Sequence, residues 1–95
     1  FTQSLAKELG PDNIRVNAVL PGIVSGPRME KVILDRANAT GTSYETMLDE
    51  YMAKISMRRM VTVEDVAKTV AYLISDLASN VSGQSLAVDG NMEAL

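Results

Sequence analysis

Apolar and polar residues alternate through IRVNAVL, residues 14–20. On a strand this puts Ile14, Val16, Ala18 and Leu20 on one face and Arg15, Asn17 and Val19 on the other. Arg15 is the only charge, too little for a strand half open to water, so the pattern predicts cover on both faces, as in a parallel α/β sheet. Pro21-Gly22 then stops the run. Proline has no N–H for a ladder, and glycine admits backbone angles and close approaches that a Cβ would block. An apolar strand that stops so abruptly points to a strand end opening onto a ligand crevice. Asn17, an amide among apolar neighbours, must find partners, because leaving it unpaired would cost about 1–3 kcal/mol. It is expected to tie down an adjoining loop.

Helical spacing surrounds this strand. Phe1, Leu5 and Leu9 share a face with Ala6, and Gly10-Pro11 is placed to end that helix through a left-handed glycine cap. Two helices are predicted between residues 27 and 57. The first has Pro27 in its first turn, a stripe of Met29, Val32, Ile33 and Ala37, and an end at Ala39-Thr40-Gly41. The second starts on a capping box, Thr42-x-x-Glu45, with Met47, Leu48, Tyr51, Met52 and Ile55 as its stripe.

Thr62 caps a further helix, with Glu64 and Asp65 in its first turn. Val66, Val70, Leu73 and Leu77 run up one face of it, with Ala67 and Ile74 beside them, a stripe broad enough to predict burial on more than one side. Residues 76–80 break the pattern and Ser82-Gly83 turns. Residues 84–88 then form a short strand that Asp89-Gly90 ends, and the last five residues carry no usable pattern. The order is helix end, strand, two helices, helix, strand. It predicts an α/β chain whose two strands lie parallel across a right-handed crossover. One edge of strand 14–20 is left for a further strand.

Composition narrows the function without changing that picture. The 95 residues make at most one domain. A net charge of −3, with basic residues scattered and no run longer than Arg58-Arg59, argues against a nucleic-acid partner. No apolar run approaches the roughly 18 residues that cross a bilayer, so no membrane partner is expected. Cysteine is absent, which rules out disulfides and fits a reducing, cytoplasmic setting. Histidine is absent too, so metal sites of the zinc type, Ser-His-Asp triads and Cys-His dyads are excluded within the chain. Five of the 6 methionines fall between Met29 and Met60. Their flexible thioethers suit a cover that repacks over a ligand, and equally an ordinary helix–helix contact. FTQSLAKEL begins as if already inside a helix, so the chain is expected to be cut from a longer protein.

Three stretches carry a resemblance. FTQSLAKELGPDNIRVNAVLPGIV resembles the segment that follows the catalytic helix in short-chain dehydrogenase/reductases. SMRRMVTVEDVAKTVAYLISD is similar to their last large helix with its approach loop, and NVSGQSLAVDG to their closing strand. The resemblance spans essentially the whole chain in the right order. It implies a doubly wound, Rossmann-type parallel sheet of which residues 1–95 are the C-terminal part, and residues 27–57 a segment covering the substrate. It implies NAD or NADP as cofactor, with Pro21, Gly22, Ile23, Val24 and Ser25 at the nicotinamide end and the Val24 backbone amide holding the carboxamide. It further implies a small carbonyl or alcohol substrate, and a homo-oligomer, tetramer or dimer, formed through residues 62–95.

The chain also departs from that pattern. A Thr hydroxyl often stands two residues after Val24, where this chain has Gly26; Ser25 offers a hydroxyl one residue early. Ser56 and Val63 replace frequent prolines, Val61 a frequent glycine, and Asn91 a second glycine after Gly90. The phosphate-binding glycine loop, the catalytic Ser and the Tyr-x-x-x-Lys pair are all missing. Tyr44, Tyr51 and Tyr72 are followed four places on by Leu48, Ile55 and Asp76. No residue is therefore assigned as catalytic, and the chain alone is not expected to be active. Arg28, Arg58 and Arg59 are candidates for an anionic substrate, or else for helix ends and for Asp49, Glu50 and Glu64. Two other readings stand beside the oxidoreductase: an independent module binding a partner through its strand edge or helix 62–77, and a non-catalytic nucleotide-binding relative.

Overall fold

The computed structural model describes residues 1–93; Ala94 and Leu95, the end of the unpatterned tail and of the expected 62–95 contact, lie outside the described residues. Helix α1 (Thr2–Leu9) leads through an irregular segment into strand β1 (Ala18–Pro21). Helices α2 (Pro27–Thr40), α3 (Tyr44–Ala53) and α4 (Val63–Ile74) follow, and strand β2 (Ser85–Val88) comes last. The two strands pair in parallel, Ala18 opposite Ser85 and Pro21 opposite Val88. The α/β class, the order of elements and the parallel pairing are those read from the pattern.

Strand β1 differs from its prediction at both ends, each for a visible reason. Residues 16 and 17 meet the turn before β2 through side chains and one backbone bond, Gly83 N–H to the Val16 carbonyl at 2.7 Å, instead of a regular ladder. Val16 N–H donates to Ser82 Oγ, and Asn17 binds the Val81 carbonyl at 2.9 Å and the Gln84 N–H at 3.1 Å. Gly83 sits there at φ 74°, so regular pairing begins only at Ala18. At the other end Pro21 lies inside the strand, not beyond it. In a parallel ladder alternate residues face a given neighbour. Ala18 and Gly22 N–H donate to the Gln84 and Val88 carbonyls at 2.8 and 3.0 Å, which turns the missing N–H of Pro21 to the edge away from β2. Asn17 does tie down a loop, as its chemistry required.

Two helix boundaries also move. Gly10 is right-handed, at φ −55°, and opens a 3-10 turn, Gly10–Asp12; the left-handed cap is Asn13, at φ 61°. Asparagine tolerates that conformation, and Pro11 fits the first turn of a tight helix as well as it fits a stop. Helix α3 is capped by Ser43, whose Oγ accepts the Thr46 N–H at 3.1 Å, and not by Thr42. The box at Thr62 is present in full: Asp65 N–H donates to Thr62 Oγ1 at 3.0 Å, and Thr62 N–H to Asp65 Oδ2 at 2.9 Å. Pro27 opens α2 and Gly41, at φ 71°, ends it, both as read.

The main buried cluster lies between α2 and α3: Ile33, Ala37 and Met47, with Met29, Tyr44, Leu48, Tyr51 and Met60 packed around them. Of the predicted stripes Val32, Met52 and Ile55 fall outside this cluster: Val32 is 42% exposed and Met52 half-buried, while Ile55 is buried elsewhere. Helix α4 lies on the sheet, and Arg15 reaches across to donate to the Leu73 and Ser75 carbonyls at its end. The expected cover on both faces of β1 is not met within this chain. Helix α4 serves one face, while Ile14 and Leu20 on the other are 47% and 53% exposed. The helix read over 62–77 ends at Ile74, and Leu77 lies in the 3-10 turn Asp76–Ala78 that follows; its stripe is likewise open beyond Leu73, with Ile74 76% and Leu77 83% exposed.

Candidate functional site

Because β1 and β2 run parallel and in register, their carboxyl ends stand together, and both chains turn there. Pro21 to Ser25 leave β1 beside Asp89 and Gly90, which leave β2. At Gly22 the two paths nearly touch: an added Cβ would lie 2.6 Å from Asp89 Cβ and 2.9 Å from Asp89 Cα. Glycine is therefore needed at this position by the chain itself, through a residue that the local pattern does not reveal.

Past Gly22 the backbone makes a short bridge with the loop before α4. Val61 N–H donates to the Ile23 carbonyl and Ser25 N–H to the Val61 carbonyl, both at 2.8 Å, with Val24 opposite Val61 in parallel sense. Ile23 and Val61 are buried. This arrangement decides which backbone groups remain for a ligand. Gly22 N–H is used by Val88, Ser25 N–H is used by Val61, and Pro21 has none. The N–H groups of Ile23 and Val24 make no hydrogen bond among the described residues, and the alternation of a parallel bridge turns that of Val24 away from Val61. Gly26 follows at φ 154°, a backbone that side-chain-bearing residues rarely adopt, and caps α2. A threonine at position 26 would not keep this path.

A cleft of about 350 Å³ opens next to the strand ends, lined by Met57, Arg59, Val61, Lys68, Val88 and Gly90 among others. Residues 21–25 do not line it. Its charge is mixed. The Asp65 carboxyl at its wall is held below the ordinary carboxylate range, first by the Thr62 backbone N–H and then by the Thr62 hydroxyl, with Lys68 and Arg59 adding smaller attractions. Arg58 donates to the Ile55 carbonyl at the end of α3, a capping role. Asp49, Glu50 and Glu64 form no ion pair among the described residues; Lys31 and Asp35 do, on the outer face of α2.

Sequence reasoning passed over four contributors. Val61 entered only as a loop substitution, yet its backbone holds the turn 23–25. Asp89 entered as a strand end, yet it sets the glycine at 22. Ser56 and Asn91, noted separately as departures from a pattern, meet: Asn91 Nδ2 donates to Ser56 Oγ at 2.6 Å. The only signal for that pair was that both positions depart together.

Comparison with known proteins gives a consistent result. A family model described as Enoyl-(Acyl carrier protein) reductase matches residues 1–93. A 3alpha-hydroxysteroid dehydrogenase of Mediterraneibacter gnavus is 42% identical over 90 residues, covering 95% of this chain and 32% of its own. A short chain dehydrogenase family protein from Francisella tularensis superposes with a TM-score of 0.85 at 30% identity, over 94% of this chain and 37% of its own. A variant actinorhodin polyketide ketoreductase, solved with NADPH, gives a TM-score of 0.82 at 38% identity, over 95% of this chain and 34% of its own. The chain spans about a third of the length of the curated relatives it matches.

Proposed function

This chain belongs to the short-chain dehydrogenase/reductase family, and from that premise we propose that it is the C-terminal part of an NAD(P)-dependent oxidoreductase. The enzyme moves hydride between a nicotinamide and a carbonyl or alcohol. In this reading Pro21, Gly22, Ile23, Val24 and Ser25 pass the nicotinamide end of NAD or NADP at the carboxyl ends of the strands, where α/β sheets take their ligands. Residues 27–57 cover the substrate and residues 62–95 meet a second copy, in a dimer or tetramer. The whole is one Rossmann-type domain, working in the cytoplasm. Acid–base chemistry belongs to residues outside this chain, whose tyrosines lack a lysine four places on, so the chain alone is expected to be inactive.

The observation that carries the reading is the Val24 amide. It sits at the strand end with no partner among the described residues, while its neighbours at 22 and 25 are committed. An N–H in that position binds a carboxamide oxygen without needing a side chain. The test removes that hydrogen and leaves every side chain in place, at the cost of a weaker acceptor in the Ile23 carbonyl, which takes the Val61 N–H. In the full-length protein, semisynthetic exchange of the Val24 amide for an ester deletes the N–H and keeps the isopropyl group. The cofactor Kd is expected to rise about tenfold, the loss of one hydrogen bond, with little change in Tm. A cofactor Kd that stays put would overturn the assignment.

A further inference from the structure

Beyond β2 the backbone turns through two consecutive left-handed residues, Gly90 at φ 64° and Asn91 at φ 62°. It then runs antiparallel along the segment that leaves α3. Ser56 N–H donates to the Asn91 carbonyl at 2.9 Å, Met57 N–H to the Gly90 carbonyl at 3.1 Å and Glu93 N–H to the Lys54 carbonyl at 2.8 Å, with Ile55 opposite Met92. Two side chains close the corner. Asn91 Nδ2 donates to Ser56 Oγ at 2.6 Å, and Asp89 Oδ1 accepts the Asn91 N–H at 2.8 Å. The contact is tight at its centre: Ile55 is 1% exposed, and a Cβ on Gly90 would lie 2.9 Å from Ile55 Cγ2.

This corner joins two parts of the molecule. On one side Asp89 lies against Gly22 at the start of the candidate turn. On the other, Asn91 and Gly90 hold the chain that leaves α3. The chain that enters α2 is held by the bridge between Val24 and Val61, and the buried cluster of the α2–α3 pair lies between its own two helices. The pair is thus one packed arm with two tethers, and the corner is the second of them.

We propose that Asn91 is a positioning residue: clasped to Ser56, it fixes where the chain leaving α3, and with it the α2–α3 arm, stands beside the crevice at the strand ends. Asparagine meets both demands of the site, since it tolerates the left-handed backbone and carries an amide to bond with. Ser56 and Asn91 are both exposed, so their bond adds little to global stability and acts on the placement of the arm. The proposal rests on the reading that residues 27–57 cover the substrate.

The test is made on the full-length protein with two substitutions. Asn91→Gly keeps the left-handed turn and removes the side-chain bond. Asn91→Asp keeps an acceptor for the Ser56 hydroxyl. In Asn91→Gly the KM for a carbonyl or alcohol substrate is expected to rise about threefold to tenfold, in line with one hydrogen bond. There kcat and Tm should move little, and the amides of Ser56 and Met57 should exchange faster; Asn91→Asp should restore both readouts. Unchanged KM and exchange in Asn91→Gly would overturn the proposal. So would a joint loss of kcat, KM and Tm that Asn91→Asp does not rescue, since that is a folding role. Amide exchange needs no turnover. If the unsubstituted protein acts on no carbonyl or alcohol, the covering role falls with the functional reading, and exchange at Ser56 and Met57 alone upholds or overturns the clasp.

Discussion

At Gly22 an added Cβ would come within 2.6 Å of Asp89 Cβ, an atom on the other strand's exit path. Even alanine must therefore push two backbone turns apart, and Gly22→Ala is expected to destabilise the fold by about 1–3 kcal/mol, the usual range for overpacking. Urea unfolding of the full-length protein measures this; an unchanged midpoint would mean that the Asp89 corner yields freely. The same contact makes Gly22 a poor probe of cofactor binding, because substitution there disturbs strand pairing first. What could be read at this scale followed from chemistry carried by one residue. Asn17 had to find partners, and it finds the Val81 carbonyl and the Gln84 N–H. What could not be read depended on a residue far along the chain, as with Asp89 at Gly22, Val61 at the turn 23–25, and Asn91 at Ser56.

Elements were legible in kind and order, and less so in their ends. Ends are settled by whichever hydroxyl, amide or left-handed residue arrives first, and neighbouring polar residues compete for that place. Thr42 and Ser43 both offer a cap to α3; Ser43 takes it, while Thr42 Oγ1 pairs with Thr40 Oγ1 at 3.1 Å. Thr62 has no such rival, and its box with Asp65 is complete. That box makes a prediction in pH. The Asp65 carboxyl is held below its ordinary range in the folded chain, chiefly by the Thr62 backbone N–H. Its stabilising effect is then fully present above the unfolded carboxylate value, about 4, and is lost as pH falls through the lowered folded value. Amide exchange in the first turn of α4, taken relative to the intrinsic rate at each pH, should quicken across that acid range. In Asp65→Asn, which has no charge to lose, the quickening should be absent; a quickening of equal size there would dissociate it from Asp65. Thr62→Ala should lower stability by roughly 1 kcal/mol at any pH above that range, the usual effect of losing an N-cap.

Over the whole molecule the described residues extend 56 × 22 × 22 Å, with the main cluster in the α2–α3 arm and only two strands in the sheet. The pattern foresaw a parallel α/β arrangement but also more burial than this chain supplies, because hydrophobic spacing records the contacts a residue has in the entire protein. Leu20 on β1 and the outer stripe of α4 are the places where that difference shows. No described helix is long and apolar enough to cross a membrane. The open stripe is apolar, and a protein surface would cover it. In the proposed oligomer that surface is a second copy meeting residues 62–95. The structure selects the residues to probe: Leu73 is only 7% exposed and turned to the sheet, whereas Ile74 and Leu77 stand open at 76% and 83%. Ile74→Asp with Leu77→Asp should therefore leave the subunit's own packing intact, as exposed substitutions usually do to within about 0.5 kcal/mol. A carboxylate buried in an apolar contact without a partner opposes assembly strongly. Light scattering on the full-length protein should show the assembled mass falling to smaller species while circular dichroism stays unchanged. A doubly substituted protein that keeps both its mass and its fold would remove residues 74 and 77 from any contact between copies.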